Sequence, residues 1–580
     1  MHNSHTLIRW ITILFISLIL TNCGGGGGSD TATSGTYETP GTTAPTVTTG
    51  TTTADGDKTT SDVDNDEFSR SEYKGLAFYY KNIPAADYKL NQLTNTEFNA
   101  LKESQKLQVA DKLLSTFFFG YPLKELQEKI NSNNFIDAVR NGLDEERTDR
   151  EWLENYILDE DKFRQYSSYN EPQAINILSR FYAMKDLDNY FLQNWVAYIL
   201  TQTIMFSPAY ELESTHTPDI SGVYNRLVTM LKVESGMRYI TYVHMMSEAN
   251  WRRFRSPEDN GREMMEIYLF DMDDAHVPIA GQALKNWKLN TDSDTLEVSL
   301  NQNTKPLNLF GTTIYNGDDF YRELAKSDLF TKGVTQRLVD FFFPEASDTE
   351  KQQIANSIIS SQPETWQDIL LQIVFSEEYL LHNNRAKSAE ETFFSLAKKM
   401  DYKHRESTFN YLKESLEDMH QATMKYKLGK LERVPQDTLS FAYYHQFVRE
   451  EVLLKRSNPD AINDYTSWSR SGWSDSFIAY DTFNYDSSSD SDSLDAFVHY
   501  LFEATIARKA TAEELKLFRD HMIGPRDGKQ LFHYEFNMFV TYDDAEKQIS
   551  KREERKRNIA FIVLDYISRL DATYRQREVN

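Results

Sequence analysis

The chain has 580 residues, 40% hydrophobic and 13% aromatic, with a formal net charge of -25 and a sequence pI near 5.0. That is apolar material for a large core and length for two or more domains. The acidity excludes a basic footprint on nucleic acid and charge-driven adhesion to anionic lipid.

In chain order, Arg9 and the apolar run Ile11–Leu20 have the layout of a signal peptide, too short for a membrane span, over residues 1–22. Leu20-Thr21-Asn22-Cys23 looks like a lipobox, in which Cys23 is acylated and becomes the mature N-terminus, inserting the chain in a lipid membrane. Gly24 rather than Asp follows it, which in a two-membrane bacterium sorts a lipoprotein to the outer membrane. Cys23 is the only cysteine, so the mature body forms no internal disulfide, thiolate metal site or c-type haem link, and has no cysteine nucleophile. Residues 23–66 continue with five glycines and a Thr/Ser/Gly/Pro/Asp-rich tract, too poor in apolar surface to offset ordering entropy; they read as a tether.

From residue 67 on, the pattern predicts an all-α, multi-helical body with at most a short hairpin near 289–313. We divide it into a helical core over 67–405 and a C-terminal helical continuation over 406–580 packed on that core. Predicted helices are Asn95–Phe119 with Thr94 as cap, Leu123–Ile130, Phe135–Leu143, Trp152–Phe163, Pro172–Met184 and Tyr190–Phe206. Tyr190–Phe206 is apolar nearly all round, which places it and Trp195 at the centre. Val223–Lys232 and Met237–Met246 follow, the second carrying Tyr239 and a core-type His244 on the floor of any cleft. After the hairpin come Asp318–Ala325, Gly333–Phe343, Asp348–Ser361, Thr365–Phe375 and Ala389–Met400. Lys387 precedes a Ser388-x-x-Glu391 capping box and reads as a solvated lysine within reach of a polar site. Ser487–Asp495 reads as a solvated linker, because it lacks the glycine and glutamate of an EF-hand loop. Thr511 caps a further helix, and the last one starts near Asp544 with a basic face of Lys551, Arg552, Arg555 and Lys556.

The densest chemistry lies in Trp251–Trp287. Ser256 and Pro257 form a helix start, and Glu258, Arg262 and Glu266 then fall at i, i+4 and i+8, with Glu263 beside them. Two readings fit. Glu258, Glu263 and Glu266 with Arg262 can do acid–base work in a cleft; equally, they can form an ion-pair ladder that orders the helix. Trp251, Tyr239 and Trp287 offer stacking surfaces for a sugar, and His244 and Lys387 complete a candidate binding set.

This stretch resembles the Asn-Glu-Asn-x-Ala-Arg-Glu-Leu-x-Glu-Leu signature of the bacterial family called domain of unknown function 1800. Glu258, Arg262, Glu263 and Glu266 match its charged positions, Gly261 stands for its Ala, and Ala283-Leu284-Lys285-Asn286-Trp287 matches the end of its next helix. Phe118-Phe119-Gly120-Tyr121-Pro122 and Lys387-Ser388-Ala389-Glu390 resemble its early and late motifs, in the same order. The family's Trp-His-x-His motif is reduced here to Trp195 without histidines, and its His-Asp segment is missing from Thr304–Gly311. The resemblance implies a helical exported protein and an exported sulfatase-like protein as partner.

No phosphate loop, dinucleotide fingerprint, zincin motif or nucleophile elbow occurs, and the twelve histidines lack metal-ligand spacing. No cofactor, metal or nucleic acid is therefore expected. The sequence predicts a lipid-anchored envelope protein that binds a protein partner or an envelope polymer. The alternative is an envelope hydrolase, directed at glycans, that uses the Glu/Arg cluster.

Overall fold

The computed structural model describes residues 86–146, most of 177–205, nearly all of 220–399 and most of 490–579, with isolated positions elsewhere. Cys23, the signal segment and the tether lie outside the described residues, as do the helix expected at Trp152–Phe163 and most of 400–489. Of the interpretable region, 66% is helical and the strands form only two-stranded sheets, so the body is predominantly all-α.

Local signals place most helix ends. Thr94 accepts from the Glu97 amide and Glu97 answers in a capping box, which starts α1 at Asn95–Ala100. The single helix expected to Phe119 is instead two. Leu101 and Lys102 turn extended, and α2 restarts at Glu103–Thr116. The break lets α1 lean on α4 (Phe135–Asp144), while α2 carries α3 (Leu123–Ile130). Helix α5, Asn189–Thr203, is capped by Asp188 and buried on every side, with Trp195 donating its indole N–H to the Thr116 carbonyl at 2.8 Å. It packs on α6 (Ile220–Lys232).

Helices α7 (Met237–Met245) and α8 (Glu248–Arg253) lead into α9 (Pro257–Leu269), which ends where Phe270 adopts φ 57°. After the acidic turn, α10 runs over Val277–Ala283 against α9. Their approach requires Gly261: a Cβ there would sit 2.2 Å from Ala280 Cβ, so the alanine of the resembling signature does not fit.

In place of one short hairpin there are two. Strands β1 (Trp287–Asn290) and β2 (Thr295–Val298) pair antiparallel with Trp287 opposite Val298. Strands β3 (Leu307–Leu309) and β4 (Thr312–Ile314) turn through Phe310 and Gly311, both at positive φ, as a two-residue hairpin loop requires. Helices α11 (Gly317–Lys326), α12 (Asp328–Phe342), α13 (Asp348–Ser360) and α14 (Trp366–Val374) follow, with α12 packed between α9 and α13. A π-turn over Glu378–His382 leads to β5 (Arg385–Ala386) and α15 (Ala389–Lys399).

The C-terminal part is α16 (Asp490–Ile506), α17 (Ala512–Met522), the β6–β7 hairpin (Ile523–Arg526, Lys529–Phe532), α18 (Ala545–Ile567) and α19 (Asp571–Tyr574). Helix α16 packs on α15 and α18, and β8 (Arg575–Gln576) pairs with β5, so this part closes on the core. One expectation is corrected: the Ser/Asp run is not a linker from Asp490 on, because α16 starts there and Asp495 pairs with Arg519. On α18, Arg555 and Lys556 are buried.

Candidate functional site

Helix α9 forms as the sequence predicts. Ser256 Oγ accepts from the Asp259 amide, Pro257 occupies the first turn, and Met264, Met265, Ile267 and Tyr268 face the core. Arg262 is not held between Glu258 and Glu266; its Nε lies 3.4 Å from Asp274 Oδ1, across the acidic turn, with the side chains 46% and 82% exposed. Glu258 is exposed and lies along Gly281, while Glu263 and Glu266 are half-buried. A wet, single-contact pair of this kind contributes little to stability. The end of α9 is held differently: Arg337 donates to the carbonyls of Ile267 and Glu266 and covers the Phe270 ring.

The proposed stacking residues turn inward. Trp251 is fully buried and stacks on Trp287 at 6.0 Å and 15°, with Tyr321 edge-on to Trp287. A Cβ at position 317 would meet Trp287 Nε1 at 2.2 Å, so Gly317 makes room for this layer. Trp251 is closed off by this packing, while Trp287 is half-buried with one face against Trp251. Tyr239 is half-buried beside Tyr242. His244 is a core histidine, as expected; burial and then Arg226 push its imidazole down to about 3, which keeps it neutral. The structure thus joins Trp251 to Trp287 and leaves Lys387 elsewhere.

Lys387 is the main correction. It is 5% exposed, because β5 and the start of α15 are covered by the chain's C-terminal residues. Around it lies a buried polar cluster that sequence reasoning missed. Arg385, 1% exposed, makes a two-pronged ion pair with Glu391 and also donates to Tyr379 Oη. Tyr379 in turn contacts Thr116 Oγ1 at 2.8 Å and donates to Gln576 Oε1 at 3.0 Å. Asp111 pairs with Lys399 and lies 4.0 Å from Lys387 Nζ. Tyr198 donates to Glu390 Oε1 at 2.6 Å. Glu391 also completes the capping box at Ser388, accepting from its amide at 2.6 Å, and the Ser388 hydroxyl returns the bond at 3.1 Å.

Burial, offset in part by Asp111, pushes the Lys387 ammonium down to about 8. Burial also opposes the charge on Arg385, but Glu391 and Tyr379 outweigh it and hold the guanidinium above its ordinary range. Lys112, against Arg385 and without a carboxylate partner, is driven well below the usual lysine range, first by burial. Such an assembly can hold charge in fixed places and donate or accept protons internally. Gly120 packs against the helix that follows Lys387: a Cβ there would approach Ser395 O at 2.7 Å and Lys399 Cγ at 2.8 Å. The available signal was the spacing Glu391, Ser395, Lys399 on one face of an apolar helix, with Asp111-Lys112 interrupting the apolar run of α2.

Among the described residues, no group of three or more His, Cys, Asp or Glu side chains is placed to hold a metal ion. No helix among them is long and apolar enough to cross a membrane. The chain matches no family profile, no curated protein and no solved structure.

Proposed function

We propose that this chain is an exported, lipid-anchored member, divergent in sequence, of the family it resembles, and that it binds a protein partner or an envelope polymer at the outer membrane. One observation carries the binding reading. Of the seven exposed large apolar side chains among the described residues, five lie between Phe270 and Leu329: Phe270, Val298, Leu300, Tyr315 and Leu329. The hairpins hold three of these at or beside their strand ends, with Leu300 fully exposed between β2 and β3. These side chains fall within one stretch of the chain, and a recognition surface would gather them into one patch. The hydrolase alternative has less support, because Trp251 is buried against a half-buried Trp287 and its arginine pairs with a solvated turn.

Two measurements test the proposal. Cys23→Ala abolishes incorporation of labelled palmitate and releases the protein from membranes; retained label overturns the anchor. A photo-crosslinking residue at position 300 gives a defined adduct in intact cells that Val298→Ser with Tyr315→Ser diminishes. An adduct indifferent to those changes, or none, overturns the recognition surface.

A further inference from the structure

We propose that the C-terminal segment Tyr574–Val579 is a releasable strap over the buried polar cluster, and that its opening is coupled to uptake of one proton at the Lys112 amine beneath it. This inference does not depend on the proposed function.

The strap is tied by few bonds, each replaceable by water. The Lys387 amide donates to Tyr574 O at 2.7 Å, and β8 pairs with β5 over only two residues. The Glu578 amide donates to Asn384 Oδ1 at 2.7 Å and the Val579 amide to Leu381 O at 2.8 Å. Its charged side chains make outward pairs that solvent screens: Arg575 with Glu345, Arg577 with Asp571, and Glu578 with His382. Tyr574 and Gln576 point inward: the Tyr574 hydroxyl donates to the Ser568 carbonyl, and Gln576 donates to Thr116 Oγ1 at 3.1 Å and Ser115 Oγ at 3.3 Å. A segment held this way opens at lower free energy than the core.

Beneath it, Lys112 Nζ donates to the carbonyls of Asn383 at 2.6 Å and Arg577 at 3.3 Å, the second belonging to the strap itself. Arg385 from β5 and the Tyr379 ring face it from the core, and Glu578 acts on it from the strap. Asp111 on its own helix is engaged by Lys399 and Lys387, and Glu391 by Arg385. Burial and the Arg385 charge therefore favour the neutral amine while the strap is closed. Opening hydrates the nitrogen, which outweighs loss of the Arg577 carbonyl and of the Glu578 charge, so the amine takes a proton from solvent and becomes an ammonium. Because the open state binds the extra proton, opening is easier at lower pH and harder as pH rises. Acidification would then loosen the strap and uncover Ser115, Thr116 and Tyr379.

The test is hydrogen exchange of the C-terminal peptide in the full chain, corrected for intrinsic chemistry. Protection should rise with pH, by up to about tenfold per pH unit over the range in which the closed strap holds one proton fewer than the open one. Lys112→Met should flatten that slope, while Lys387→Met and His382→Gln keep it. The strap should also exchange faster than Asn189–Thr203, which shows local opening. A pH-independent wild-type strap, a slope surviving in Lys112→Met or lost in either control, or exchange no faster than in α5 overturns the proposal. If Lys112→Met does not fold, the wild-type slope, the two controls and the α5 comparison decide it.

Discussion

The acidic face of α9 and the cluster around Arg385 use the same residue types to opposite effect. Glu258, Arg262 and Asp274 sit in water, where an ion pair gains about 0–1 kcal/mol at most. Arg385, Glu391, Asp111 and Lys399 are almost wholly buried, where a charge is tolerated only because its partner and hydrogen bonds are in place. The denser-looking stretch in sequence is thus the weaker electrostatic site. Burial, rather than the number of charges, decides what a cluster can do.

The largest expected effect tests the buried side of that contrast. Arg385→Met removes the buried guanidinium that balances the Glu391 charge and should cost about 3–5 kcal/mol in urea unfolding. A loss below about 1 kcal/mol would mean the cluster is wet, and the contrast would collapse. Next comes pH. Lys387 sits near 8 in the folded chain against an ordinary 10.5, so between those values the unfolded state binds more protons and stability rises with pH. The penalty is fully present below about pH 8 and is relieved by about 3 kcal/mol towards pH 10.5, to order of magnitude. Lys387→Met should lower the stability–pH slope in that window by one proton; an unchanged slope would place the lysine in solvent.

A smaller effect probes the packing under the exposed face. Gly261→Ala forces a methyl group onto Ala280 and should cost about 1–3 kcal/mol, read as a lower melting temperature. A neutral result would show that α9 and α10 separate easily. Smallest of all, Arg262→Ala and Glu258→Gln should each change stability by less than about 0.5 kcal/mol. A large loss in either would restore the ordering ladder that the sequence suggested.

Much of the helical architecture was legible because its signals are local. Thr94, Ser256 and Thr511 cap the helices expected of them, the helices expected to start at Thr365 and near Asp544 begin one residue later with those residues as caps, and Leu123–Ile130 appears with the expected bounds. The burial of Trp195 and His244 also followed from their apolar surroundings. Where local signals compete, the reading failed: an extended Leu101-Lys102 divides one helix into two, and the Ser/Asp run that resembles a linker starts α16.

By itself, then, the sequence determined the all-α class, most helix starts and the residues able to carry chemistry, since capping and periodicity act within a few positions. Only the tertiary structure decided which charges leave water. Lys387, Arg555 and Lys556 look like surface residues in their own segments. They are buried because distant segments close over them, as Lys112 meeting the Arg577 carbonyl shows for the polar cluster. Desolvation depends on those long-range contacts, and no window of sequence contains them.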